Sequence, residues 1–141
     1  MISFRVLIVD DEQEFVETLV KRLRRRNFFC EGVFSGTQGL AWLDEHGCDV
    51  VLLDMRLPDM DGNEVLRRIK QKKPEVQVVI LTGHASASAG LEGILAGAHD
   101  YLMKPVEFET LVEKLVAAYE ERVATIVPVA ADTPGQQDSV I

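Results

Sequence analysis

Five short apolar runs punctuate the chain at regular intervals: FRVLIV (residues 4–9), FFCEGVF (28–34), DVVLL (49–53), VQVVIL (76–81) and HDYLM (99–103). Each is rich in Val, Leu, Ile or aromatic residues and is bounded by acids, Gly or Pro, the pattern of strands buried on both faces. Between them lie segments of helical periodicity. A strand followed by a helix, five times over, predicts an α/β fold: an open, doubly wound, five-stranded parallel sheet, because each crossover is right-handed and must cover an apolar sheet face.

The helical segments differ in quality. In EQEFVETLVKRLRRR (12–26), Phe15, Val16, Leu19, Val20 and Leu23 recur at one-turn spacing while the opposite face is charged. The second helix begins with the capping-box pattern Ser35-x-x-Gln38 and runs to about residue 46, and the third covers about 63–72. The fourth, SASAGLEGILAG (86–97), is weak, since interior Gly90 and Gly93 each cost up to about 1 kcal/mol relative to Ala. It is expected to be the most mobile. The last, about 107–122, places Phe108, Leu111, Val112, Leu115, Val116 and Tyr119 on one stripe.

The chain has 141 residues, enough for one core with helices on both sides. Residues 1–123 are expected to form this domain. Residues 124–141, ATIVPVAADTPGQQDSVI, have no periodicity and no basic residue and are expected to be a mobile tail in which Ile126, Val127 and Val129 dock weakly. A net charge of −8 argues against nucleic acid as a direct partner, because phosphate backbones are bound by unopposed Lys and Arg. The basic runs Lys21-Arg22 with Arg24-Arg25-Arg26, and Arg67-Arg68 with Lys70, read as solvated helix faces, the first able to help dock a partner protein. No apolar stretch approaches the roughly 18 residues that cross a bilayer, and a cytoplasmic, membrane-independent location is the expectation. Cys30 and Cys48 lack CxxC spacing and read as buried thiols.

In open α/β sheets, ligands collect beyond the carboxyl ends of the strands. The polar residues of interest fall there: Asp10-Asp11-Glu12 after the first run, Asp54 after the third, Thr82-Gly83 after the fourth and Lys104-Pro105 after the fifth. In the flavodoxin-like strand order 2-1-3-4-5, the first and third strands are neighbours, so Asp10, Asp11 and Asp54 converge. Clustered carboxylates must hold protons or bind a cation. Mg²⁺ suits the set, since it keeps waters and takes one or two carboxylates plus a phosphate. Lys104 then offers an ammonium to phosphate oxygens, Thr82 a hydroxyl, and Asp54 a nucleophile able to form an acyl phosphate.

The segments VLIVDDE, VLLDMRLPDMDG, ILTGHAS and AGAHDYLMKP occur in order over residues 4 to about 122. Together they resemble the receiver domain of two-component response regulators. The resemblance implies that Asp54 accepts phosphate from a phosphohistidine on a histidine kinase or phosphotransfer protein. It implies that Asp10, Asp11 and Asp54 hold Mg²⁺ with the backbone carbonyl of Arg56, that Thr82 and Lys104 contact the phosphoryl group, and that Tyr101 turns to report it. It also implies a cis Lys104-Pro105 bond, and Arg56 and His84 as flanking residues that influence phosphoryl lifetime. The surface of residues 86–122 is the expected site for a downstream protein or a second copy of the chain.

Other readings are weaker. A dinucleotide-binding turn needs glycines where this chain has Asp-Asp-Glu. A small Mg²⁺-dependent phosphohydrolase would carry a second carboxylate two residues after its nucleophile, where this chain has Arg56. A phosphorylation-independent interaction module has no need of the intact acidic cluster, Thr82 and Lys104. An Asp11-x-x-Glu14 capping box is the structural alternative for the first acidic group.

Overall fold

The computed structural model describes residues 3–83 and 92–126. Strands β1 (Arg5–Val9), β2 (Phe29–Val33), β3 (Val50–Leu53), β4 (Gln77–Thr82) and β5 (Asp100–Met103) form one parallel sheet in the order β2-β1-β3-β4-β5. Helices α1 (Gln13–Arg25), α2 (Gly36–Glu45) and α3 (Gly62–Lys72) connect the first four strands. The described part of α4 is 92–95, and α5 (Phe108–Ile126) closes the chain. The expected five-fold alternation and strand order are those of the molecule.

Two-residue strand periodicity divides the sheet into two cores. Val6 and Ile8 of β1, Val50 and Leu52 of β3, and Val79 and Leu81 of β4 face α1 and α5. Their neighbours Leu7, Val9, Val51, Leu53, Val78 and Ile80 face the opposite layer with Leu43 of α2 and Val65, Leu66 and Ile69 of α3. The three central strands are therefore apolar at consecutive positions because both faces are covered.

Local chemistry sets the helix ends. The α1 chain leaves through Asn27 in the left-handed region (φ 70°), with Asn27 N–H on Arg24 O and Phe28 N–H on Leu23 O. These two bonds make a Schellman stop. Ser35 caps α2 by accepting from the Gln38 N–H, as the capping-box pattern predicts, while Gln38 Oε1 accepts from the Phe34 N–H. Gly93 has a role that propensity conceals: a Cβ there would lie 2.3 Å from Ile80 Cδ1, so glycine lets α4 approach β4.

Two expectations need adjustment. The α5 helix runs one turn beyond 122, to Ile126; the first residue unable to continue it is Pro128. The basic runs are engaged rather than merely solvated. Arg22 and Arg26 lie 4.0 and 5.6 Å from the Phe108 ring centroid, Arg24 donates to Cys30 O, and Arg67 and Arg68 both reach Glu64. The mobility expected of α4 and of the tail falls largely on residues 84–91 and 127–141, which lie outside the described residues. Among the described residues, no helix is long and apolar enough to cross a membrane. Burial pushes both cysteine thiols up to about 12, in keeping with unreactive core side chains.

Candidate functional site

Register brings the site together. Val9 pairs with Leu53, so the next residues, Asp10 and Asp54, emerge side by side at the carboxyl end of the sheet. Their backbones are tied in sequence across the strands: Asp10 N–H donates to Val33 O and Asp54 N–H to Val9 O. Thr82 pairs with Met103, and the Lys104 N–H donates to Thr82 O at 2.9 Å, which fixes the lysine beside the last residue of β4. The Lys104-Pro105 bond is cis, as the resemblance implies.

Asp10, Asp54 and Thr82 are 2, 4 and 0% exposed, unusual burial for polar side chains at a strand end. The Lys104 Nζ lies 2.7 Å from Asp10 Oδ2 and 3.8 Å from Asp54 Oδ2, and it also contacts Glu12. Its stem carries the ammonium over the Phe15 ring, 4.5 Å from the centroid. Asp10 Oδ1 accepts from the Glu12 N–H and Asp54 Oδ1 from the Arg56 N–H at 3.3 Å. Each buried carboxylate thus directs one oxygen to the backbone and the other to the lysine.

The charges remain unbalanced. Burial pushes the Asp10 carboxyl above the usual aspartate range, and the nearby Asp54 charge adds to it, against the opposing pull of Lys104 and the Glu12 N–H. For Lys104, burial works against the ammonium, yet the hydrogen bonds to Asp10 and Glu12 and the Asp54 charge win and raise it. Asp10, Glu12 and Asp54 each offer a carboxylate oxygen within 4.8 Å of the others. Three hard oxygen donors facing one ammonium fit a hard divalent cation.

Glu12 is the residue that sequence reasoning missed. The expected third carboxylate, Asp11, is exposed and lies outside this group, while Glu12, which joins it, has a side chain 61% exposed. The signal was present in the third letter of Asp-Asp-Glu, but only geometry turns that side chain toward Lys104. Nor does Asp11 cap α1, whose N-cap is Glu12 with no side-chain capping bond. Arg56 is exposed and forms an isolated antiparallel bridge with Asp61. Tyr101 is half-buried in β5 and packs against the core on the α2/α3 side. His84 lies outside the described residues.

The loop between β3 and α3 is held by two further carboxylates. Asp61 caps α3 through the Asn63 N–H. Asp59 reaches back to α2, accepting from the Gly36 N–H at 2.9 Å, the Thr37 N–H at 2.8 Å and the Thr37 hydroxyl. Gly62 must be glycine, because a Cβ would stand 2.5 Å from Met55 Cα and 2.8 Å from Asp54 O. The loop therefore presses directly on the backbone that carries Asp54.

Comparison with known proteins gives one family. The model of the response regulator receiver domain matches residues 6–116. The transcriptional regulatory protein TrcR of Mycobacterium tuberculosis is 36% identical over 111 residues, covering 79% of this chain and 43% of that protein. The DNA-binding transcriptional regulator NtrC of Salmonella typhimurium is 35% identical over 120 residues, covering 83% of this chain and 26% of the relative. The matched segment thus spans less than half of either curated relative. Among solved structures, a CheY-like response regulator receiver domain protein from Methanospirillum hungatei superposes with a TM-score of 0.83 at 30% identity, covering 88% of this chain and 99% of that one. The BeF3-activated DrrB receiver domain gives 0.75 at 31% identity, covering 84% and 99%.

Proposed function

Since the chain belongs to the response regulator receiver domain family of two-component signalling, we propose that Asp54 accepts a phosphoryl group from a phosphohistidine on a histidine kinase or phosphotransfer protein. The observation that carries this is a buried carboxylate at a strand end, within 3.8 Å of a lysine ammonium and beside two further carboxylates. An Asp54 oxygen attacks phosphorus, the P–N bond breaks, and the imidazole nitrogen, whose ring partner nitrogen carries a proton, leaves with the bonding pair, giving an acyl phosphate on this chain and a neutral histidine on the donor.

Asp10, Asp11 and Asp54, with the Arg56 backbone carbonyl, are the proposed Mg²⁺ ligands, and Glu12 is close enough to take part. The bound ion would neutralise charge on the transferring phosphoryl oxygens. Lys104 is already aimed at Asp54 and supplies a positive charge to the same oxygens. The Thr82 hydroxyl, adjacent to Lys104 across the sheet, is the proposed donor that reads the new group. Its movement would leave space for Tyr101 to turn, a two-state change that lets a local charge bias a distant surface. The described part of residues 86–122 has exposed Ile94, Leu95 and Met103, apolar groups suited to a protein partner or a second copy.

On this reading the chain is a signalling domain that participates in its own phosphorylation. The small-phosphohydrolase alternative is disfavoured by Arg56, which leaves the position two residues after Asp54 without a carboxylate. Incubation with a small-molecule phosphodonor and Mg²⁺, followed by intact-mass analysis, should add one phosphoryl group. Asp54→Asn or chelation of the metal should abolish it. An adduct that survives either change overturns the assignment.

A further inference from the structure

The loop from Met55 to Asp61 is fastened at its base and again at its tip. At the base, the Gly62 N–H donates to Met55 O, and Arg56 pairs with Asp61 in an antiparallel bridge. At the tip, both Asp59 oxygens are occupied by α2: Oδ1 accepts from the Gly36 N–H at 2.9 Å, and Oδ2 from the Thr37 N–H at 2.8 Å and the Thr37 hydroxyl. Met60 presses on the same turn. A Cβ on Gly36 would lie 2.6 Å from Met60 Cγ and 2.9 Å from Val65 Cγ2, so glycine admits the loop to the start of α2.

Helix α2 has a start of its own without this clamp, since Ser35 Oγ accepts from the Gln38 N–H and Gln38 Oε1 from the Phe34 N–H. The loop depends on it more. Between the base and the tip lies the peptide of Arg56, whose N–H turns in to Asp54 Oδ1 at 3.3 Å and whose carbonyl is the proposed Mg²⁺ ligand. A ligand supplied by a loop backbone is only as well placed as the loop that carries it.

We propose that Asp59 is a positioning residue of the phosphoacceptor site: by tying the loop tip to the start of α2, it fixes the Arg56 peptide and with it the carbonyl offered to Mg²⁺ beside Asp54. This rests on the phosphoacceptor reading and adds to it an element, the first turn of α2, that touches neither the metal nor the phosphoryl group. Asp59 acts only through the backbone, because its own oxygens face α2.

In the full chain, Asp59→Ala should raise the Mg²⁺ dissociation constant about tenfold, the lower end of what a support behind a metal ligand contributes. In metal-free buffer the same variant should speed amide hydrogen exchange at Arg56 and Gly62. Thr37→Val, which removes one of the three donors, should give smaller changes of both kinds, and Thr37→Ser, which keeps the hydroxyl, should come back toward the parent. Ser35→Ala is the control, because it removes the other cap of the same helix end and weakens α2 without touching the loop. It should leave Mg²⁺ affinity and both loop amides as they are. Unchanged Mg²⁺ affinity in Asp59→Ala overturns the proposal. So does a Ser35→Ala variant that weakens Mg²⁺ binding as much as Asp59→Ala, since the stability of α2 rather than the position of the loop would then be responsible. A parent protein that binds no Mg²⁺ overturns the phosphoacceptor reading and this proposal together, whereas a parent that binds it and an Asp59→Ala variant that binds it equally well overturn the proposal alone.

Discussion

Each end of the sheet sets aspartates against cations, but the two arrangements differ in balance. At the amino end, Asp49 has one oxygen on the Arg122 guanidinium at 2.7 Å and the other on the Arg5 N–H at 2.9 Å. Both Asp49 oxygens have a donor there, while Arg122 Nη1 is buried with Glu75 3.9 Å away, and the arrangement ties β1, β3 and α5 together. At the carboxyl end, Asp10, Glu12 and Asp54 share the single Lys104 ammonium. That end holds two buried carboxylates and an exposed one against a single ammonium, an excess of negative charge that is relieved by a proton or by a bound cation. Charge balance, rather than the presence of ion pairs, separates the structural tie from the site.

The largest expected effect comes from removing the cation of the unbalanced end. Lys104→Met preserves most of the packing on Phe15 but leaves buried Asp10 and Asp54 without their counter-charge. In metal-free buffer this should cost about 3 kcal/mol or more in denaturant unfolding. Mg²⁺ should restore part of the loss in the variant and have a smaller effect on the parent. Equal stability with and without Lys104 would place the site among balanced networks and break the comparison.

Neutralising one aspartate at each end should give opposite signs. Asp49→Ala strands Arg122, whose side chain is only 17% exposed, and should destabilise by about 2 kcal/mol through lost charge-assisted hydrogen bonds. Asp54→Asn removes a charge that raises Asp10, while Lys104 keeps Asp10 and Glu12 as partners. It should stabilise the metal-free protein, because a like charge beside buried Asp10 is removed. Thermal or urea unfolding of both variants in chelator and in Mg²⁺ reads this directly. Two changes of the same sign would remove the distinction between the ends.

Much of this was legible in the sequence because it is local. The apolar runs give five strands, Ser35-x-x-Gln38 gives the start of α2, and Asp10, Asp54, Thr82 and Lys104 stand at strand ends that the register brings into one region. What escaped depends on contacts between distant residues. The Asp49–Arg122 tie joins positions 73 residues apart, and the close approach of Gly93 to Ile80 looks in sequence only like a helix weakness. Glu12 was hidden for another reason: Asp11 and Glu12 are adjacent acids, and which of them reaches Lys104 depends on how the chain enters α1.

The smallest effect tests whether balance or location decides how a carboxylate behaves. Asp59 lies in the loop that follows Asp54, at the site end of the sheet, yet its oxygens are matched by neutral donors of α2. The Thr37 hydroxyl and then the Thr37 and Gly36 N–H groups, working against desolvation, hold its carboxyl down to about 2 from an ordinary 3.8. A folded value below the unfolded one means that the charged form stabilises the fold. Its contribution is therefore complete above the unfolded value and is lost as pH falls from 3.8 through about 2. Asp59→Asn should cost less than about 1 kcal/mol at neutral pH, the usual scale for a charge at an exposed helix start. The gap between parent and variant in urea unfolding should stay constant above about pH 5 and close on further acidification. A gap that stays open at low pH, or a variant more stable than the parent at neutral pH, would group Asp59 with the surplus carboxylates and make position along the sheet, not the matching of partners, the controlling property.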